Sequence, residues 1–141
     1  MPLCNLLAGT AERFPEKAAA AFRNQSISFG GLYLQSRQVA ARLQKLGIGP
    51  GARVAILHEN ALAPIIFFWG VLASGAQVVD IPCQASVETV NEIWAECRPA
   101  AIVLSHHQRK RLERAGMKLW PDVVLMEPPL PVDSPIRNCH S

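Results

Sequence analysis

Residues 53–81 read RVAILHENALAPIIFFWGVLASGAQVVDI, and they decide the fold. Val54-Ala55-Ile56-Leu57 is a strand core with no polar residue between its apolar ones. Asn60 stands where it can cap a helix running from Ala61 to Ser74, Gly75 closes that helix, and Gln77 to Ile81 is a second strand. Strands that alternate apolar and polar have one wet face. Runs like Val54-Ala55-Ile56-Leu57 and Val78-Val79 predict strands covered on both faces, as in parallel sheets. The apolar stretch from Ala61 to Ala73 makes a helix of roughly 20 Å, too short for a bilayer core of about 30 Å. It reads as a buried helix rather than a membrane span.

The same alternation extends in both directions. Downstream, Ser86 opens a helix whose Val87, Val90, Trp94 and Cys97 share a face, and Pro99 separates it from a strand over Ala101 to Leu104. A short basic helix from about His106 to Ala115 leads to a strand over Asp122 to Met126. Upstream, Leu32, Ser36, Val39, Leu43 and Leu46 form one helical stripe, with Ser28 as its N-cap and Gly47 as its left-handed stop. Before it, Ala18 to Phe22 and Ile27 to Ser28 read as short strands around the turn Arg23-Asn24-Gln25. Leu3, Leu7, Ala11 and Phe14 mark an opening helix that Pro15 ends. Strand and helix in repeated alternation predict an α/β fold, a partial doubly wound and mainly parallel sheet flanked by helices. One domain covers residues 1–126. Residues 127–141 hold four prolines and no periodicity, and read as a disordered tail.

Half of the 141 residues are hydrophobic and 18% are charged, which excludes a disordered chain. The formal charge of +3 is spread out except at Arg109, Lys110, Arg111 and Arg114, a cluster that reads as a solvated helix face and not as a nucleic-acid site. Cys4, Cys83, Cys97 and Cys139 show neither CxxC spacing nor a zinc pattern, so reduced thiols in a cytoplasmic protein are expected. Cys139 and His140 adjoin, but within the tail, where a catalytic pair would lack fixed geometry. No secretory leader is visible after Met1.

Motifs that carry chemistry are sparse. Neither GxGxxG nor GxxxxGK[ST] occurs. Gly30-Gly31 lies at a helix start without a basic or hydroxyl partner, and Gly47, Gly49 and Gly51 follow a helix instead of preceding one. No GxSxG elbow is present. His106-His107 follows a strand end, where α/β proteins often bind ligands, but adjacent histidines diverge and suit joint metal ligation poorly. His58-Glu59-Asn60 also follows a strand and reads as a polar turn capping the next helix. No catalytic or metal-binding residue is therefore assigned.

Several stretches together resemble the adenylate-forming (AMP-dependent synthetase/ligase) superfamily, which includes acyl-CoA synthetases. Ile27-Ser28-Phe29-Gly30-Gly31-Leu32 is similar to its L-[TS]-Y-x-E-L motif. Leu72-Ala73-Ser74-Gly75-Ala76, continuing to Pro82, is similar to L-K-A-G-A-x-x-V-P. Between them, Leu46 to Ile56 resembles L-G-[VI]-x-x-G-D-x-V-A-I, and the likeness covers residues 3 to 115. Gly31 departs from the motif's Glu, Ala52 from its Asp, and Asp80 from an apolar strand residue. The resemblance implies the N-terminal subdomain of an enzyme that activates a carboxylate as acyl-adenylate, with ATP, Mg and CoA serving the complete enzyme. The family's Ser/Thr/Gly-rich phosphate loop is expected near Ser134-Pro135 and does not occur there. No cofactor is expected to bind this chain alone, and the expected partner is a second chain carrying the catalytic half. A non-catalytic module that self-associates or docks on a related ligase is the alternative.

Overall fold

The computed structural model describes residues 2–59, 62–117 and 119–125. Its elements are α1 (Pro2–Arg13), β1 (Ala18–Phe22), β2 (Gln25–Ser28), α2 (Phe29–Lys45), β3 (Arg53–Leu57), α3 (Leu62–Ser74), β4 (Gln77–Asp80), α4 (Val87–Cys97), β5 (Ala101–Leu104), α5 (His106–Arg114) and β6 (Val123–Leu125). β1 and β2 form an antiparallel hairpin turned at Arg23, whose φ is 58°. The other four strands form a parallel sheet in the order β4-β3-β5-β6.

Alternation along the central strands divides the core into two layers. Val54, Ile56, Ala101 and Val103 face a cluster that includes Leu32, Val39, Leu43, Ile66 and Phe67 from α2 and α3. Ala55, Leu57, Ile102 and Leu104 face the opposite cluster, with Val90 of α4 and Leu112 of α5. Successive residues of a strand point to opposite faces, so covering both faces demands the uninterrupted apolar runs seen in β3 and β5. The doubly wound α/β reading therefore holds.

Local signals placed the helix ends. Ser28 accepts a hydrogen bond from the Gly31 amide at 3.0 Å, and Ser86 and Ser105 cap α4 and α5 in the same way. Gly47 has φ 78°, and past it the Ile48 amide reaches the Leu43 carbonyl at 2.9 Å, so the turn uses the one residue free of a Cβ penalty. Buried Ile48 then packs with buried Leu43 in the same cluster.

Four expectations need correction. Among the described residues β4 is an outer strand that pairs with β3 alone, and its Val78 and Val79 are only half-buried. α3 is not buried all round: Phe68 is 38% exposed, and Ile65 and Trp69 are half-buried. α1 ends at Arg13, one residue short of the Phe14 that marked it by spacing, and Phe14 lies exposed beneath the cations of Arg13 and Lys17. Leu46 caps α2 and is 47% exposed, so the buried stripe stops at Leu43. The Asn60 cap, the strand end at Met126, the 127–141 tail and the Cys139-His140 pair lie outside the described residues.

Candidate functional site

A doubly wound sheet has one favoured place for a ligand. It lies outside the carboxyl ends of the two adjacent strands whose connections leave in opposite directions. Here those strands are β3 and β5. The chain leaves β3 through α3 on one face to reach β4, then returns through α4 on the other face to β5.

That crevice is closed by a hydrogen bond between residues 46 positions apart. The Ser105 hydroxyl lies 2.8 and 2.5 Å from the two carboxylate oxygens of Glu59, to which it donates. Ser105 also accepts from the Gln108 amide at 3.1 Å, so one hydroxyl caps α5 and anchors Glu59. Glu59 thus places a negative charge at the N-terminus of α5, where the helix dipole favours one. Partial burial raises the Glu59 carboxyl. The bonds from Ser105 and from its own backbone, with the nearby His58 and His107, outweigh that and hold it below the ordinary value of 4.5. His58 Nδ1 lies 3.6 Å from the carboxylate.

The neighbouring loop between β4 and α4 is fastened to the same edge. The Cys83 thiol donates to the His58 carbonyl at 3.2 Å. Arg111 donates to the carbonyls of Ala85 (2.9 Å) and Cys83 (3.2 Å) and to Gln108 Oε1 (2.9 Å). Arg111 therefore departs from the solvated-face expectation. Leu112 is buried, which turns this side of α5 inward and brings the guanidinium fork over the loop's carbonyls. Arg109 pairs with Glu113 at 3.3 Å and stacks over Trp120, while Lys110 and Arg114 are exposed. His106 and His107 face solvent.

Glu59 is the residue whose role sequence reasoning missed. Within the turn ahead of α3, its carboxylate also joins the β3 and β5 loops. No local pattern marks this, since the partner lies two elements away in sequence. Among the described residues no group of three His, Cys, Asp or Glu side chains is placed to hold a metal ion.

The described residues of this crevice do not suit a triphosphate. Phosphate binding at a strand-to-helix turn needs amides unobstructed by side chains, usually with a cation. Here the α5 N-terminus already holds a carboxylate, which repels phosphate. The arrangement locks three strand ends together and, among the described residues, offers no phosphate cradle.

A family model described as AMP-binding enzyme matches residues 7–133. The chain belongs to the AMP-binding enzyme family. Tyrocidine synthase 2 of Brevibacillus parabrevis is 31% identical over 107 residues, 76% of this chain and 3% of that protein. The long-chain-fatty-acid–CoA ligase of Bacillus subtilis is 35% identical over 77 residues, 55% of this chain and 14% of the ligase. The fatty acid AMP ligase from Legionella pneumophila superposes with a TM-score of 0.71 at 25% identity, over 77% of this chain and 20% of that one. The nonribosomal peptide synthetase FmoA3 has the same fold here, with a TM-score of 0.79 at 18% identity over 88% of this chain and 13% of its own. The chain thus spans a small part of each relative's length.

Proposed function

We propose that this chain is the N-terminal scaffold portion of an enzyme that activates a carboxylate as an acyl-adenylate. In this reading it supplies sheet and helix layers, and other polypeptide supplies the ATP chemistry. The observation that carries the reading is the Glu59–Ser105 bond across the β3/β5 crevice. A carboxylate held in the switch-point crevice of a member of an AMP-binding family supports the reading that phosphate contacts come from elsewhere. Adenylation requires in-line alignment of carboxylate and α-phosphate, with donors aimed at the charge that develops. Neither is contributed by Glu59, Ser105 or Arg111, all engaged in holding loops. ATP, Mg and a thiol acceptor such as CoA belong, in this reading, to the complete enzyme.

The experiment is reconstitution. The purified chain is mixed with a separately expressed polypeptide carrying the remaining part of an adenylate-forming enzyme, and carboxylate-dependent ATP–pyrophosphate exchange is measured. Exchange in the mixture beyond that of either component supports the scaffold role. A mixture no more active than its parts, despite demonstrated co-folding, argues for the non-catalytic interaction module instead.

A further inference from the structure

The open side of β4 has a chemistry of its own. Among the described residues β4 pairs only with β3, and the Gln77 and Ile81 amides point inward to the carbonyls of Ala52 and Ile56, each at 2.9 Å. With a period of two, the main-chain groups of Val78 and Asp80 point outward, along the open edge. Native outer strands commonly carry a lysine, a proline or a bulge that discourages further pairing. Gln77-Val78-Val79-Asp80 carries none of these, and its register with β3 is regular.

Beside this edge, the outer side of α3 and the α3-facing side of β4 enclose a groove of about 250 Å³. Ile65, Phe68 and Trp69 line it from the helix, and Val78 and Asp80 from the strand. The two aromatic rings meet edge to face, with centroids 5.6 Å apart. Among the described residues the only ion pairs are His58–Glu59 and Arg109–Glu113, so the exposed Asp80 carboxylate stands in this apolar groove without a counter-charge.

We infer that the β4 edge and its groove receive an extended strand that carries an apolar side chain and, two positions away, a lysine or arginine. The outward main-chain groups of Val78 and Asp80 continue the ladder, as in strand addition to an exposed edge. The apolar side chain lies opposite Val78 and reaches Phe68, and the cation lies opposite Asp80. A second copy of β4 is the wrong occupant. With the α3 faces continuous, a second copy brings another Asp80 carboxylate to the shared face and, since no lysine or arginine lines the groove among the described residues, no cation to compensate either. Resting on the proposed function, the strand belongs to the remainder of the adenylate-forming enzyme, of which this chain spans a small part.

The test uses the full chain, labelled with ¹⁵N, and two nine-residue peptides of alternating valine and threonine. One has lysine two positions from a central valine, and the other has glutamate there. The lysine peptide is expected to shift the Val78 and Asp80 amides saturably and to bind about fivefold more tightly than the glutamate peptide. Asp80→Lys is expected to invert that preference, and because Asp80 is exposed the variant should retain the parent's circular dichroism. Equal affinity for the two peptides overturns the inference, as does absence of saturable shifts at Val78 and Asp80, or an Asp80→Lys chain that keeps the parent's ranking. None of these outcomes bears on reconstituted exchange activity, so the docking site and the scaffold role can fail separately.

Discussion

Replacing Gly70 with alanine tests the packing that holds the helical layer to the sheet. Gly70 is buried on α3 where it meets α2. A Cβ there would sit 2.4 Å from both Cβ and Cγ1 of Val39, and 3.1 Å from the Ser36 carbonyl oxygen. Comfortable carbon contacts begin near 3.5–4.0 Å, so something must move by more than about 1 Å. Val39 cannot retreat easily, since it is β-branched, 1% exposed and packed in the same cluster as Val54 and Phe67. Overpacking of this kind costs about 1–3 kcal/mol, and contacts this short belong at the upper end. Alanine recovers about 1 kcal/mol through better helix propensity, leaving a net loss of about 2 kcal/mol. Gly9, inside α1, is the matched control: a Cβ there meets nothing within 4 Å, so Gly9→Ala should gain about 0.5–1 kcal/mol. The assay is urea unfolding followed by far-UV circular dichroism, comparing midpoints at unchanged m. A Gly70→Ala chain as stable as its parent, or more so, would show that α2 and α3 do not meet at this glycine.

Three further substitutions probe the ends of the sheet. Glu59→Gln should lower stability at neutral pH, with a deficit that depends on pH in a defined sense. The folded carboxyl lies below the ordinary 4.5, so the unfolded chain binds more protons and the stabilisation is complete above that value. The gap between parent and variant should therefore close as pH falls through the folded pKa; a gap that persists well below that pH contradicts the Ser105 contact. Ser28→Ala removes the side-chain cap of α2, to which Gly31 returns no carboxylate, and should cost about 1 kcal/mol in the same urea assay. Arg111→Ala frees the Cys83 and Ala85 carbonyls and should cost about 2 kcal/mol while speeding amide exchange between Pro82 and Ser86, whereas an unchanged exchange rate there would mean the loop holds itself.

What was legible in the sequence was what local chemistry decides. Ser28, Gly47 and Gly75 mark helix ends because a cap or a left-handed residue acts within one turn. Val54-Ala55-Ile56-Leu57 and Ala101-Ile102-Val103-Leu104 announce a buried strand because both faces must be apolar. Val78-Val79 shows the limit of that logic: the pair has the composition of a central strand, yet β4 is outermost. Apolarity records what a face can touch, and the order of strands is set by crossovers that span tens of residues. The candidate site was illegible for the same reason. Glu59 and Ser105 each look like ordinary turn residues, and only the placement of β3 beside β5 brings them together. Arg111 sat within a run of cations whose charge suggested solvent, and the inward turn of α5 at Leu112 separated it from Lys110 and Arg114.

The central claim is that this chain contributes scaffold and no ATP chemistry, and ATP–pyrophosphate exchange by the purified chain tests it most directly. With ATP, Mg and a panel of carboxylic and amino acids, the account predicts no carboxylate-dependent exchange above buffer, from protein that shows a cooperative unfolding transition. Exchange that scales with chain concentration, co-purifies with it through orthogonal columns and responds to Glu59→Gln would contradict the account and place phosphate chemistry in the β3/β5 crevice after all.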